Sequence, residues 1–161
     1  MAGLVQAARQ VRDPAPRAVD AGPQLPPLVL VVDDARTVRV KIGRVLQAQG
    51  LRLAFAVDGE DALRQLAGQC PDLLITDMDM PGLDGLGLTR ALRKLPATAE
   101  LPVIMVSAAD DRLRAEAAAA GVTALLGKPF GDAHLVELAQ SLLADPLARA
   151  ADGQLRVTEP A

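Results

Sequence analysis

The sequence predicts an α/β fold in which five parallel strands alternate with five helices. Two patterns support this prediction. Short apolar runs without polar alternation recur along the chain, as is typical of strands buried on both faces of a sheet. Each run is followed by a segment whose apolar residues have helical spacing. Because parallel strands joined by helices need right-handed crossovers, helices cover both faces of the sheet, and we expect a three-layer, doubly wound sandwich.

The individual elements follow from the order of these segments. The apolar runs cover residues 28–32, 53–57, 73–76, 103–107 and 124–127. The first two helical segments are a stripe of Val38, Ile42, Val45 and Leu46 that ends at Gly50, and a segment from Asp58 to about Gly68. The third segment carries Leu88 and Leu92 before Pro96, and the fourth runs from Asp110 to Gly121. The fifth aligns Leu135, Leu138 and Leu142. Glycine and proline near the segment ends are common helix stop signals.

The composition of the chain favours one globular domain with an aliphatic core. The chain has 161 residues, half of them apolar, and Phe55 and Phe130 are its only aromatic residues. A chain of this size and apolar content buries a substantial core. We therefore predict a core of Leu, Val, Ile, Ala and a few Met.

Charge and cysteine content exclude several classes of protein. The net charge is -3 and the basic residues are scattered, so we expect no direct binding of nucleic acid. Cys70 is the only cysteine and cannot form an internal disulfide. The sequence has neither the apolar core of a secretory signal nor a stretch long enough to span a membrane. We expect a soluble, cytoplasmic protein with no membrane partner.

Proline and glycine divide the chain into three parts. Residues 1–27 are rich in Ala and Pro, and we predict a flexible leader. The alternating strand and helix pattern occupies residues 28–143. From residue 144 to residue 161 the apolar pattern weakens, which predicts a short C-terminal tail.

Polar side chains follow four of the five predicted strands. Asp33 and Asp34 end the first, Asp77 the third, Ser107 the fourth and Lys128 the fifth. Because the carboxyl ends of parallel strands lie at one edge of the sheet, where such folds bind ligands, we expect these side chains to meet in one pocket. Close carboxylates repel one another, and a hard cation that prefers oxygen ligands relieves this repulsion, so Mg²⁺ is the predicted cofactor. With cation and ammonium offsetting its charge, a phosphoryl group can be attacked by a carboxylate.

These residues resemble the receiver domains of bacterial two-component response regulators. The resemblance rests on four motifs in the family's order and spacing: Val31-Val32-Asp33-Asp34, the segment from Asp77 to Gly85, Ser107-Ala108, and Lys128-Pro129-Phe130. It covers residues 28–143. It implies a flavodoxin-like, five-stranded parallel sheet in the order 2-1-3-4-5.

The resemblance also implies a role for each site residue. Asp77 is the expected phosphoacceptor, and Lys128 and Ser107 are expected to contact the phosphoryl group. Asp34 is an expected direct ligand of Mg²⁺, together with Asp77 and the backbone carbonyl of Asp79, and Asp33 is expected to bind the ion through water.

The implied function is phosphorelay signalling rather than turnover of a separate substrate. By resemblance, the donor is a phosphohistidine on a sensor histidine kinase or a histidine phosphotransfer protein, and the output is a contact with a downstream protein. The chain catalyses only its own phosphorylation and slow dephosphorylation. The segment 33–39 is most similar to receivers attached to chemotaxis-type hybrid histidine kinases.

Two alternatives belong to other functional classes. Asp77-Met78-Asp79 has the Asp-x-Asp spacing of haloacid-dehalogenase-like phosphatases. That family places its nucleophile after the first strand and its acidic pair after the lysine, so the order here argues against a phosphatase. The second alternative is a pseudo-receiver that serves only as an interaction platform. Such domains usually lack the acidic pair, the acceptor or the lysine, whereas this chain has all of them.

Overall fold

A computed structural model of the chain describes residues 25–108 and 110–144, together with the backbone of residues 156–158. The strands are β1 Leu28–Val32, β2 Arg52–Ala56, β3 Leu73–Asp77, β4 Val103–Ala108, β5 Ala124–Lys128 and β6 Arg156–Thr158. The α-helices are α1 Arg36–Gln47, α2 Gly59–Gly68, α3 Gly85–Arg93, α4 Asp111–Ala120 and α5 Asp132–Ala144, with a 3₁₀ turn at Pro96–Thr98. Most of the predicted leader, residues 1–24, lies outside the described residues.

All strands belong to one parallel sheet in the order β2-β1-β3-β4-β5-β6. The predicted five strands, their order 2-1-3-4-5 and the five alternating helices are therefore confirmed. The sheet also has a sixth strand, β6, which was not predicted. A strand of three residues is too short to show a periodic apolar pattern, so no pattern in the sequence indicates it.

The two faces of the sheet carry separate apolar layers. Val29 and Val31 of β1 pack with α1 and α5, whereas Leu30 and Val32 pack on the opposite face with residues of α2 and α3. This division follows from the strand geometry, because successive side chains point to opposite faces. A third cluster, which includes Leu113 of α4, lies on the same side of the sheet as α3. Helices therefore cover both faces, as the sequence predicted.

The edge strand β2 differs from the central strands in its burial. Every residue of β1 and β3 is buried, whereas Ala56 is the only buried residue of β2 and Phe55 is exposed. The strand also lies one residue earlier than predicted, so Val57 falls outside it and is exposed. An edge strand keeps one side open to solvent, which explains this weaker burial.

Aspartate side chains begin three of the helices. Asp58 accepts a hydrogen bond from the Asp61 amide at the start of α2, and Asp84 accepts one from the Gly87 amide at the start of α3. Asp110 accepts from the Arg112 amide at the start of α4. Caps of this kind satisfy amides that have no partner within the helix.

Two glycines adopt positive φ angles where helices end. Gly121 ends α4 with φ 95°, and Gly50 follows α1 with φ 83°. Both angles lie in the region that favours glycine over other residues. A Cβ atom placed on Gly50 would meet no atom within 4 Å. The loop between α1 and β2 is therefore open to solvent at the end of the sheet where the strands begin.

Candidate phosphoacceptor site

The strand register brings the predicted site residues to one edge of the sheet. Val32 lies level with Thr76. The next residues, Asp33 after β1 and Asp77 at the end of β3, therefore lie at the same height. Asp77 in turn lies level with Val106, the residue before Ser107. Asp33, Asp77 and Ser107 are buried, because β1, β3 and β4 form the middle of the sheet.

Three carboxylates form an acidic cluster at this edge. Asp33, Asp34 and Asp77 each offer one oxygen atom, and these atoms all lie within 4.8 Å of one another. Asp34 is exposed, whereas the other two are buried, so the cluster opens to solvent on one side. Such closely placed carboxylates store like-charge repulsion, and their oxygen atoms are the ligands that Mg²⁺ prefers.

The lysine that ends β5 contacts this cluster. Nζ of Lys128 donates a hydrogen bond to Oδ1 of Asp77 at 2.9 Å. Burial alone would lower the pKa of Lys128, but the hydrogen bond and charge of Asp77 outweigh it, and the charges of Asp33 and Asp79 add to their effect. The pKa of Lys128 is therefore raised, and the side chain is a cation throughout the physiological pH range.

Asp33 is held by the backbone at the start of α1. Its Oδ1 atom accepts a hydrogen bond from the Ala35 amide at 2.8 Å, and its carbonyl accepts one from the Arg39 guanidinium at 2.6 Å. Burial raises the pKa of Asp33, the Ala35 amide opposes this shift, and the charge of Asp77 adds to it. Loss of solvent therefore disfavours the ionised form of Asp33, which a nearby cation would stabilise.

The loop after β3 is folded tightly against Asp77. The Gly85 amide donates to the Met78 carbonyl at 3.0 Å and closes the loop that contains Asp79. A Cβ atom on Gly85 would lie 2.6 Å from the Asp77 carbonyl oxygen and 3.0 Å from Cα of Met78. Glycine is therefore required for the start of α3 to approach the strand end so closely.

Ser107 lies beside the cluster with its hydroxyl turned to a local partner. It is 8% exposed, and its Oγ atom donates to the carbonyl of Ala108 at 3.0 Å. Thr76 behaves in the same way, since its hydroxyl donates to the Asp77 carbonyl at 2.9 Å. The structure therefore brings Asp33, Asp34, Asp77, Ser107 and Lys128 to the same edge, and it places Asp79 in the adjoining loop with an exposed side chain.

Sequence reasoning missed two contacts around this edge. The Lys41 ammonium of α1 lies 4.9 Å from the ring centroid of Phe130, and the Arg39 guanidinium binds the Asp33 carbonyl. Neither pair shows a spacing that would reveal it in the sequence. Both contacts join α1 to loops at the carboxyl end of the sheet and so help to position that edge.

Comparison with known families shows which family the chain belongs to. A model of the response regulator receiver domain matches residues 29–140. The chain belongs to this family. It is therefore a receiver domain of two-component response regulators, whose function is phosphorelay signalling.

Individual relatives agree with this assignment. The receiver is 40% identical over 120 residues to the transcriptional regulatory protein PrrA of Mycobacterium tuberculosis. The aligned region covers 73% of this chain and 50% of PrrA. It is 41% identical to a protein-glutamate methylesterase/protein-glutamine glutaminase of Myxococcus xanthus, covering 72% of this chain and 34% of the relative. The crystal structure of a response regulator receiver protein from Pseudomonas putida superposes with a TM-score of 0.69 at 32% identity, covering 74% of this chain and 99% of that one.

The similarity is confined to the receiver part of these relatives. The chain spans about half the length of PrrA and about a third of the methylesterase. In the part of the chain that the structure describes, no helix combines the length and apolar character needed to cross a membrane.

Proposed function

We propose that Asp77 accepts a phosphoryl group from a phosphohistidine on a sensor histidine kinase or a histidine phosphotransfer protein. The observation that carries this proposal is the 2.9 Å hydrogen bond between Lys128 and Asp77 beside the carboxylates of Asp33 and Asp34. A nucleophilic carboxylate, a fixed cation and a set of oxygen ligands are the parts that phosphoryl transfer requires.

In the proposed reaction, a carboxylate oxygen of Asp77 attacks phosphorus as the P–N bond of the phosphohistidine breaks. The imidazole leaves with the bonding electron pair, and an acyl phosphate forms on Asp77. Lys128 already contacts Oδ1 of Asp77 and offsets negative charge on the phosphoryl oxygens. Rotation of the Ser107 hydroxyl away from the Ala108 carbonyl would let it donate to the same oxygens.

We propose that Mg²⁺ is the cofactor of this step. Asp33, Asp34 and Asp77 fit the ion because they bring three carboxylates within 4.8 Å, and the Asp79 carbonyl lies in the adjoining loop. We propose direct ligation by Asp34, Asp77 and the Asp79 carbonyl, and ligation through water by Asp33. When bound, the ion screens the charge of the incoming phosphoryl group.

The output is proposed to be a contact with a downstream protein in the cytoplasm. PrrA is named as a transcriptional regulator and the Myxococcus relative as an enzyme, but this chain matches only part of each protein. The net charge of -3 and the scattered basic residues favour a protein partner over nucleic acid. We therefore propose that the described domain acts as a regulatory phosphoacceptor and not as an enzyme with its own substrate.

Intact-mass spectrometry tests the proposed function. The chain is incubated with acetyl phosphate, with Mg²⁺ or with a chelator, and its intact mass is measured. A second sample is reduced with borohydride, which converts an acyl phosphate on aspartate to homoserine and releases phosphate, and is then digested. We expect a mass increase of one phosphoryl group that requires Mg²⁺, and homoserine at position 77 of the digested chain. Labelling that ignores Mg²⁺, or that maps to another residue, would refute the proposal.

A further inference from the structure

The two outer strands of a sheet present backbone groups that have no partner within the sheet. Such edges bind extended segments of other chains unless they are covered. In this receiver the two sides of the sheet are covered in different ways, and the difference concerns β2 on one side and β5 on the other.

Side chains of the neighbouring helix cap the edge of β2. Nε2 of Gln65 donates to the Phe55 carbonyl at 2.7 Å. Oδ2 of Asp61 accepts from the Val57 amide at 3.0 Å. Both side chains belong to α2, which packs on the sheet through Ala62, so this cover is part of the folded core.

Backbone hydrogen bonds of the chain's own C-terminal segment cover the edge of β5. The amides of Leu74 and Met78 donate to the carbonyls of Pro102 and Val106, so the even-numbered residues of β4 face β3 and the odd-numbered residues face β5. Because Ile104 lies level with Ala124, Ala124 and Leu126 face β4, and Leu125 turns its backbone groups toward β6. Val157 lies level with Leu125 in the parallel register, so Arg156 and Thr158 face β5. In a parallel ladder the Leu125 amide then donates to the Arg156 carbonyl, and the Leu125 carbonyl accepts from the Thr158 amide.

This second cover is much less extensive than the strand pairs in the rest of the sheet. Three residue pairs join β5 to β6, compared with five between β4 and β5. A short outer strand opens at a lower free-energy cost than the buried strands. The β5 edge is therefore the one whose cover can be withdrawn while the core of the domain stays folded.

We propose that the edge of β5 is a binding surface for an extended segment of another protein, and that residues 156–158 occupy it as an autoinhibitory strand. The pairing already seen shows the chemistry of the segment that fits, which is an extended backbone in parallel orientation. While β6 is in place, the amide and the carbonyl of Leu125 are paired with β6 and are closed to an incoming strand. Release of β6 opens both groups together.

Two proline variants distinguish a paired β6 from an unpaired one. Thr158→Pro removes the amide that faces β5, whereas Val157→Pro removes an amide that faces away and serves as the matched control. The readout is hydrogen exchange of the Leu125 amide in the full chain. The Leu126 amide, which faces β4, reports in the same experiment that the rest of the sheet is folded.

We expect the Leu125 amide to exchange on the order of tenfold faster or more in Thr158→Pro, and at the wild-type rate in Val157→Pro. Equal rates in the two variants would overturn the pairing. Deletion of residues 156–161 opens the same edge without introducing proline, and it decides the outcome if Thr158→Pro proves unstable.

A peptide with the sequence of residues 151–161 tests whether the open edge accepts a strand from another chain. An intramolecular segment acts at an effective concentration on the order of millimolar, so the peptide is added at ~5 mM. We expect it to restore protection of the Leu125 amide in Thr158→Pro. The same peptide with proline at position 158 should have no effect. Failure of the unmodified peptide to restore protection would overturn the binding surface even if β6 pairs as described.

Discussion

Nζ of Lys128 and Oδ1 of Asp77 lie 2.9 Å apart although 51 positions separate the two residues in the chain. Their strands are not neighbours, since β4 lies between β3 and β5. The lysine therefore reaches across the end of β4, where Ser107 lies. This contact links the proposed acceptor to the last strand of the predicted fold.

Asp77→Asn should abolish stable labelling by acetyl phosphate and leave the fold intact, because an amide keeps the shape of the carboxylate but is a poor nucleophile. The matched control is Asp79→Asn, which removes an exposed carboxylate from the same loop and should retain labelling. Intact mass measures both variants. A labelled Asp77→Asn chain would assign the acceptor to another residue.

Mg²⁺ should raise the melting temperature of the chain, since it relieves repulsion among Asp33, Asp34 and Asp77. At ten times the dissociation constant the expected gain is about 1.4 kcal/mol. The gain should vanish in Asp34→Ala and persist in Glu116→Ala, which removes an exposed carboxylate of α4. An unshifted wild-type melting curve would contradict the metal site.

Asp33→Asn should stabilise the metal-free chain at neutral pH. Burial is the largest cause of the raised pKa of Asp33, and a carboxyl with a raised folded-state pKa favours folding at low pH. That contribution is present below about pH 4, the unfolded-state pKa, and is lost as the pH rises through the folded-state value. Urea unfolding in a chelator at several pH values should therefore show a smaller loss of stability for the variant as the pH rises.

The control for this pH dependence is Asp111→Asn, because the Asp111 side chain is 98% exposed. Its unfolding free energy should follow the wild-type pH profile. A profile for Asp33→Asn that also runs parallel to wild type would mean that Asp33 is not penalised by burial.

Lys128→Ala should slow phosphorylation by acetyl phosphate on the order of tenfold or more, because the charge that offsets the phosphoryl oxygens is lost. Lys94→Ala removes an exposed ammonium at the end of α3 and should leave the rate unchanged. Time courses of intact mass measure both rates. Equal rates for Lys128→Ala and wild type would remove the lysine from the proposed mechanism.

Gly85→Ala should lower the free energy of unfolding by about 1–3 kcal/mol, since the added methyl group meets the Asp77 carbonyl and Met78. It should also slow phosphorylation, because the loop must move away from the acceptor. Gly68→Ala makes the same chemical change in open space at the end of α2 and should not destabilise the chain. Denaturant titration compares the two, and equal stabilities would argue against the tight loop.

The alternation of strands and helices and the place of the site could be predicted because each depends on a local pattern, whereas the order of the strands in the sheet came from the resemblance to receiver domains. An apolar run followed at once by Asp33, Asp77 or Lys128 specifies both a buried strand and a polar group at its carboxyl end. Parallel topology then brings these groups together without any knowledge of the loops. The roles of the individual site residues stay predictions.

Other features depend on contacts that no local pattern encodes. β6 is too short to show a period, and Lys41 meets Phe130 only through the packing of α1 beside the loop after β5. The Ser107 hydroxyl donates to the neighbouring Ala108 carbonyl. This choice of partner depends on the rotation of the side chain and not on the residue type. These features require coordinates because they are decided by tertiary packing and rotamer choice.

The open loop at Gly50 makes this domain a suitable scaffold for engineered biosensors. Gly50 lies where the strands begin, whereas the acidic cluster lies where they end. A fluorescent protein or a circularly permuted reporter enzyme inserted after Gly50 would stand a full strand length away from the acidic cluster. Loop tips of this kind tolerate insertions well. The chain also contains no Trp or Tyr, so a single introduced tryptophan would report on its surroundings without an intrinsic background.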